Sequence, residues 1–231
     1  MSDLVTAGAP GLQAVLWDMD GTLLESEELW DIGVRELSLW LGGPMSEETR
    51  AATIGASTPG ALGIVFDSLG LERSPEALAR ARTWLYARMA TMFADGLPWR
   101  PGARDALALV RSLGLRSALV TNTERELGDV ALDTLGREHF DHSVCGDEVP
   151  AGKPDPAPYL RAAELLGVDP QRCLAVEDSP TGAASAEAAG CSVLVVPSLI
   201  EVPAGPRRTF RDTLVGLTAE DLHSLHALVT V

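Results

Sequence analysis

Leu12-Gln13-Ala14-Val15-Leu16-Trp17-Asp18-Met19-Asp20-Gly21-Thr22 runs from an apolar stretch into a polar, glycine-containing turn. Leu12 to Trp17 reads as a buried strand, and Asp18 to Thr22 as the turn that ends it. Four later stretches read the same way: Ser117 to Val120, Ser143 to Cys145, Cys173 to Val176 and Ser192 to Val196. Helical patterns separate them, at Ala103 to Leu113, Arg125 to Leu135, Pro156 to Leu166 and Thr181 to Ala189. Strands spaced by helices of this length predict βαβ units: an α/β fold with a Rossmann-like, doubly wound parallel sheet and helices on both faces. Ligands of such sheets bind beyond the carboxyl ends of the strands.

The stretch 27–97 breaks the rhythm. Helix-like patterns occur around Glu28 to Leu41, Pro59 to Leu69 and Pro75 to Phe93, with no convincing strand. The expected organisation is therefore a core of 1–26 and 98–231 with a helical insertion, 27–97, over the crevice. A short strand and a helix begun by Thr218, with Leu222, Leu225 and Leu228 on one apolar face, are expected at the C-terminal end.

Composition narrows the function. A formal net charge of −15 over 231 residues argues against nucleic acid and anionic membrane as partners, because both are themselves polyanions. No stretch approaches the ~18 apolar residues of a membrane span. Met1 to Pro10 has no basic residue and no long apolar run, which argues against a signal peptide. Cys145, Cys173 and Cys191 form neither a disulfide framework nor a zinc pattern, so the expected compartment is the cytoplasm. Of 18 basic residues one alone, Lys153, is a lysine. That exception points to a position requiring a compact ammonium, although chance also accounts for it.

Four features carry chemistry. Asp18 and Asp20 at a strand's end place like charges in the crevice, where a hard divalent cation with oxygen ligands would relieve their repulsion. Taken alone, the pair also fits a turn-forming role. Thr121 and Asn122 end a second strand and suit either an anion site or an ordinary helix cap. Lys153 lies in the proline-stiffened Gly152-Lys153-Pro154-Asp155-Pro156, and Glu177-Asp178 closes another strand with two more acids.

In this order, at the ends of four strands, these features resemble the four-motif signature of the haloacid dehalogenase superfamily. The resemblance extends from Ala14 to about Pro197. The insertion looks like the small helical cap of the subfamily that includes beta-phosphoglucomutase and the sugar phosphatases. Glu25-Ser26-Glu27-Glu28-Leu29-Trp30-Asp31 and Val176-Glu177-Asp178-Ser179-Pro180-Thr181-Gly182 are similar to hexitol and deoxysugar phosphate phosphatases.

The resemblance implies a magnesium-dependent phosphatase acting on small-molecule phosphate esters, sugar or polyol phosphates foremost, through a phosphoaspartyl intermediate. Asp18 would be the nucleophile and Asp20 the general acid and base. Thr121, Lys153 and the amide of Asn122 would hold the transferring oxygens. Magnesium would take Asp18, the main-chain carbonyl of Asp20, Asp178 and Glu177. Glu28, Trp30, Ser57 and Thr58 are the candidate contacts to the leaving group. A phosphomutase is the enzymatic alternative, disfavoured because Trp30 stands where mutase-like relatives carry a cap histidine. A non-catalytic binding protein on this scaffold is the other, although every expected catalytic position is filled. A monomer or weak dimer is expected.

Overall fold

The computed structural model describes residues 11–227, so Met1 to Pro10 and Leu228 lie outside the described residues. Among the described residues, six strands form one parallel sheet: β1 (Ala14–Trp17), β2 (Arg116–Val120), β3 (His142–Val144), β4 (Cys173–Glu177), β5 (Ser192–Val195) and β6 (Arg208–Phe210). Their order is β3-β2-β1-β4-β5-β6. The chain runs outward from β1 through β2 and β3, then returns to β1's other side with β4. This reversal creates a switch point beside the carboxyl end of β1, where such folds place their ligands.

The central strands β1, β2, β4 and β5 are mostly apolar because each is covered on both faces. Val15, Trp17, Leu119, Leu174, Val176 and Leu194 face one apolar cluster, while Ala14, Leu16, Ala118, Val120, Ala175, Val193 and Val195 face another. The buried indole of Trp17 is satisfied by donating Nε1–H to Ser117 Oγ at 3.2 Å.

Helices α1 (Glu27–Leu41), α2 (Glu47–Thr53), α3 (Thr58–Ser68) and α4 (Pro75–Ala94) follow β1 with no strand among them. Three of the four were expected. The unexpected one, α2, is seven residues long and too short to show a periodicity. Its start signal was nevertheless present, since Ser46 accepts from the Thr49 amide and two glutamates fill the first turn. Val34, Leu37, Phe66, Leu85, Tyr86 and Met89 from these helices share the cluster of Trp17 and Leu119, so the insertion is packed on the sheet's edge of the crevice.

The chain then alternates: α5 (Ala103–Ser112), α6 (Arg125–Leu135), α7 (Ala157–Leu166), α8 (Pro180–Ala188) and α9 (Ala219–Ala227). Thr218 starts α9 by accepting from the Asp221 amide at 3.1 Å, and Leu222 is buried below it. Among the described residues, no helix is long and apolar enough to cross a membrane.

Candidate active site

The turn after β1 brings its two aspartates to the switch point. Asp18 donates its amide to Val176 O at 3.0 Å, which extends the β1–β4 ladder one residue past the strand. The chain then folds back tightly, with the Leu24 amide on Met19 O and the Gly21 amide on Leu24 O. Gly21 has φ +82°, and a Cβ there would lie 2.0 Å from Asp178 Oδ2. Only glycine meets both demands, the left-handed backbone and the room for a neighbouring carboxylate.

Lys153 reaches this turn from the loop before α7. Its Nζ donates to Asp18 Oδ1 and to Glu177 Oε1, each at 2.6 Å, and only 6% of the residue is exposed. Asn122 fixes the lysine's backbone from both sides: Oδ1 accepts the Lys153 amide at 2.8 Å and Nδ2 donates to Lys153 O at 3.2 Å. The Asn122 side chain thus serves the lysine. Tyr159, which the sequence did not single out, donates its hydroxyl to Glu177 Oε1 at 2.5 Å from the buried face of α7. Burial works against the ammonium of Lys153, but Asp18 and Glu177 outweigh it and hold its pKa above the ordinary lysine range.

Asp18, Glu177 and Asp178 each offer a carboxylate oxygen, and these oxygens lie within 4.8 Å of one another. Three acids face one lysine. Burial, only partly opposed by Lys153, raises Asp18 to about 7, and Glu177 and Asp20 add to the rise. Burial likewise pushes Asp178 well above the usual carboxylate range, reinforced by Asp18 and Glu177. Asp18 Oδ2 is buried with no hydrogen-bond partner. An all-oxygen donor set with surplus negative charge and an orphaned carboxylate oxygen fits a hard divalent cation. Gly182 makes room for this cluster, since a Cβ there would fall 1.9 Å from Glu177 Oε2.

Asp20 is turned away from the cluster. Its Oδ1 accepts from Ser26 Oγ at 2.5 Å and Trp30 Nε1 at 3.0 Å; its Oδ2 accepts from Thr123 Oγ1 at 2.8 Å and Thr121 Oγ1 at 3.3 Å. Four donors from two parts of the chain fix one carboxylate. The Thr121 hydroxyl, expected to meet a phosphoryl oxygen, here faces Asp20. Trp30 also sets its ring edge-on to Phe93 at 6.3 Å.

Above these groups a cavity extends beneath the insertion. Thr58 lines it, with its hydroxyl 2.9 Å from that of Tyr86, and Trp30 lines it as well. Glu28 and Ser57 do not. Glu28 is exposed on the outer side of α1, and its neighbour Glu27 lines the cavity instead, because successive helical residues point about 100° apart. Ser57 caps α3 by accepting from the Gly60 amide. Arg50, from the unforeseen α2, is a lining residue that the sequence did not flag. The insertion also touches the sheet's loops directly: Thr181 Oγ1 donates to Gly55 O at 3.3 Å, and Arg82 Nε donates to Glu124 Oε2 at 2.8 Å.

Comparison with known proteins matches residues 12–190 to the model of the haloacid dehalogenase-like hydrolases. The chain is 34% identical over 184 residues to a phosphorylated carbohydrates phosphatase of Thermotoga maritima, covering 78% of this chain and 82% of that protein. It is 32% identical over 224 residues to hexitol phosphatase B of Escherichia coli K12, covering 90% and 96%. The crystal structure of CbbY from Rhodobacter sphaeroides in complex with phosphate superposes with a TM-score of 0.78 at 29% identity, covering 91% of this chain and 99% of that one. With most of its length matched by the family model and 78% and 90% of it aligned to the two phosphatases, the chain belongs to the haloacid dehalogenase-like hydrolase family.

Proposed function

We propose that this hydrolase is a magnesium-dependent phosphatase of small phosphate monoesters, sugar or polyol phosphates in particular. The observation that carries the reading is Lys153 bridging Asp18 and Glu177 at 2.6 Å beside the unpartnered Asp18 Oδ2. A nucleophilic oxygen, a fixed ammonium and an oxygen-donor cluster meet where a phosphoryl group would enter. The names of the Thermotoga maritima and Escherichia coli relatives support the substrate class.

In this mechanism Asp18 attacks phosphorus in line, and the ester P–O bond breaks as the aspartyl phosphate forms. Asp20 gives a proton to the departing alkoxide. It then takes one from the water that attacks the aspartyl phosphate, which returns Asp18 and releases inorganic phosphate. Lys153, the main-chain amide of Asn122 and the Thr121 hydroxyl, once it leaves its 3.3 Å contact with Asp20, hold the phosphoryl oxygens. Residues 27–97 form a cap that excludes water from the reaction. Asp18, the carbonyl of Asp20, Asp178 and Glu177, directly or through water, would hold magnesium. The ion supplies positive charge that offsets the negative charge on the transferring group.

The test is inorganic phosphate release from sugar and polyol phosphates with magnesium, repeated with excess chelator. Chelation is expected to lower the rate at least about a hundredfold. Undiminished release would overturn the metal assignment, and an isomerised ester without free phosphate would reveal a mutase.

Trp30 gives a second expectation. Trp30→Phe keeps a ring against Phe93 and removes the N–H that orients Asp20. For glucose 6-phosphate, whose leaving alcohol needs a proton, kcat/KM is expected to fall about tenfold, the worth of one hydrogen bond to a charged group. For p-nitrophenyl phosphate, whose phenolate leaves unprotonated, it should change by less than about twofold. Equal losses on both esters would assign Trp30 to packing alone.

A further inference from the structure

The lining residues that the insertion contributes to the cavity are mainly apolar, among them Val34, Ile54, Ala61 and Leu85, with Glu27 and Arg50 as the charged ones. Arg50 is only 6% exposed, and its nitrogens are already engaged. Nε donates to Asp31 Oδ1 at 2.7 Å and Nη1 to Thr53 Oγ1 at 3.2 Å. Nη2 reaches Glu27 O at 3.4 Å and Glu27 Oε2 at 3.5 Å. Glu27 and Asp31 both draw on this guanidinium, Asp31 is paired with Arg35 Nε at 2.9 Å as well, and all three nitrogens of Arg50 are engaged. Lys153, the other cation lining the cavity, is bound to Asp18 and Glu177.

Glu27 is the acid that looks into this space. It stands in the first turn of α1, is 9% exposed, and has Arg50 as its side-chain partner at the long distance of 3.5 Å. Burial, with Asp20 adding to it, raises its pKa against the pull of Arg50. In its ionised form, which Arg50 favours, a carboxylate so placed accepts hydrogen bonds from hydroxyls and repels anions.

We propose that Glu27, with Arg50 neutralised beneath it, is the specificity-determining group of this site, admitting phosphate esters of uncharged polyhydroxy alcohols and rejecting esters whose leaving group carries a carboxylate or second phosphate. The inference rests on the phosphatase reading and deepens it. An anionic leaving group would meet Glu27 with no free cation among the described lining residues to offset it, because releasing Arg50 would break its contacts to Asp31, Thr53 and Glu27 together. A polyol meets no such obstacle, and its hydroxyls replace water on Glu27. Rejection by a repulsive charge is a common way to make such a choice.

The experiment compares kcat/KM for sorbitol 6-phosphate and 2-phosphoglycolate, both with magnesium, in the wild type, Glu27→Gln and Glu27→Asp. The wild type is expected to prefer the sorbitol ester. Glu27→Gln, near-identical in shape but uncharged, should shift the ratio toward phosphoglycolate by roughly tenfold or more, as removal of one like charge in a partly desolvated site implies. Glu27→Asp keeps the charge and should keep the wild-type preference even where its overall rate falls, and thermal melts verify that each variant is folded. Equal turnover of both esters by the wild type, or an unchanged ratio in Glu27→Gln, would overturn the inference and leave the phosphatase reading standing. No phosphate from either ester in the wild type would instead overturn the phosphatase reading, and this inference with it.

Discussion

Asp18→Asn is expected to abolish phosphate release, lowering kcat by about 10⁴-fold or more, as loss of a covalent nucleophile does elsewhere. An amide of the same shape cannot attack phosphorus, yet it still fits the turn and still offers Lys153 an acceptor oxygen. Lys153 also keeps its 2.6 Å contact to Glu177, and the acidic cluster loses one of its three charges. The variant should therefore melt no lower than the wild type. Rapid acid quenching adds a direct check: an acid-stable phosphoryl label on the Asp18 peptide should appear in the wild type and be absent from the variant. Undiminished turnover in Asp18→Asn would refute the nucleophile assignment.

Lys153→Met is expected to damage both stability and rate. It leaves Asp18 and Glu177 buried beside one another without their shared cation; their side chains are 10% and 0% exposed. Breaking a buried pair in this way costs about 3 kcal/mol or more, which for a chain of this size lowers the melting temperature by roughly 6–12 °C. Magnesium added to the variant should recover part of that loss, because a cation that binds the folded state alone stabilises it. The rate should fall about a hundredfold or more, since a charge aimed at the transferring oxygens has gone. Lys153→Arg should not restore it: a planar fork cannot place one nitrogen between two carboxylate oxygens that each lie at 2.6 Å. Differential scanning fluorimetry with and without magnesium, alongside phosphate release, separates the two effects. A variant with wild-type melting temperature and turnover would remove Lys153 from the site.

The central strands were legible because they are buried on both faces and so read as short, mainly apolar runs. Cys173–Glu177 runs one residue further than its apolar pattern suggested, since Glu177 is held by Lys153, Tyr159 and Ser179 and needs no solvent. The groups around Asp18 were legible for a related reason: a polar residue at the end of an apolar strand stands out. The cavity's upper half offered no such contrast. Glu27 and Glu28 are identical in type, and packing of α1 alone decides which one faces inward. Arg50 sits on a helix of seven residues, below the length at which periodicity speaks. Trp30 was expected against the leaving group, and its tie to Asp20 depends on the direction of one ring N–H. Such details follow from how helices settle against each other, which local pattern does not encode.

The ion pair of Arg82 with Glu124 joins α4 to the residue directly after Thr123. Arg82 also lies over the Tyr86 ring at 4.2 Å, and that tyrosine's hydroxyl meets Thr58. Any excursion that uncovers the cavity by lifting α4 must part this guanidinium from its carboxylate while Thr123 remains tethered to Asp20. Under the proposed mechanism, admission of a reactant and escape of its remnants would therefore be coupled to the orientation of Asp20 through one strand-end loop.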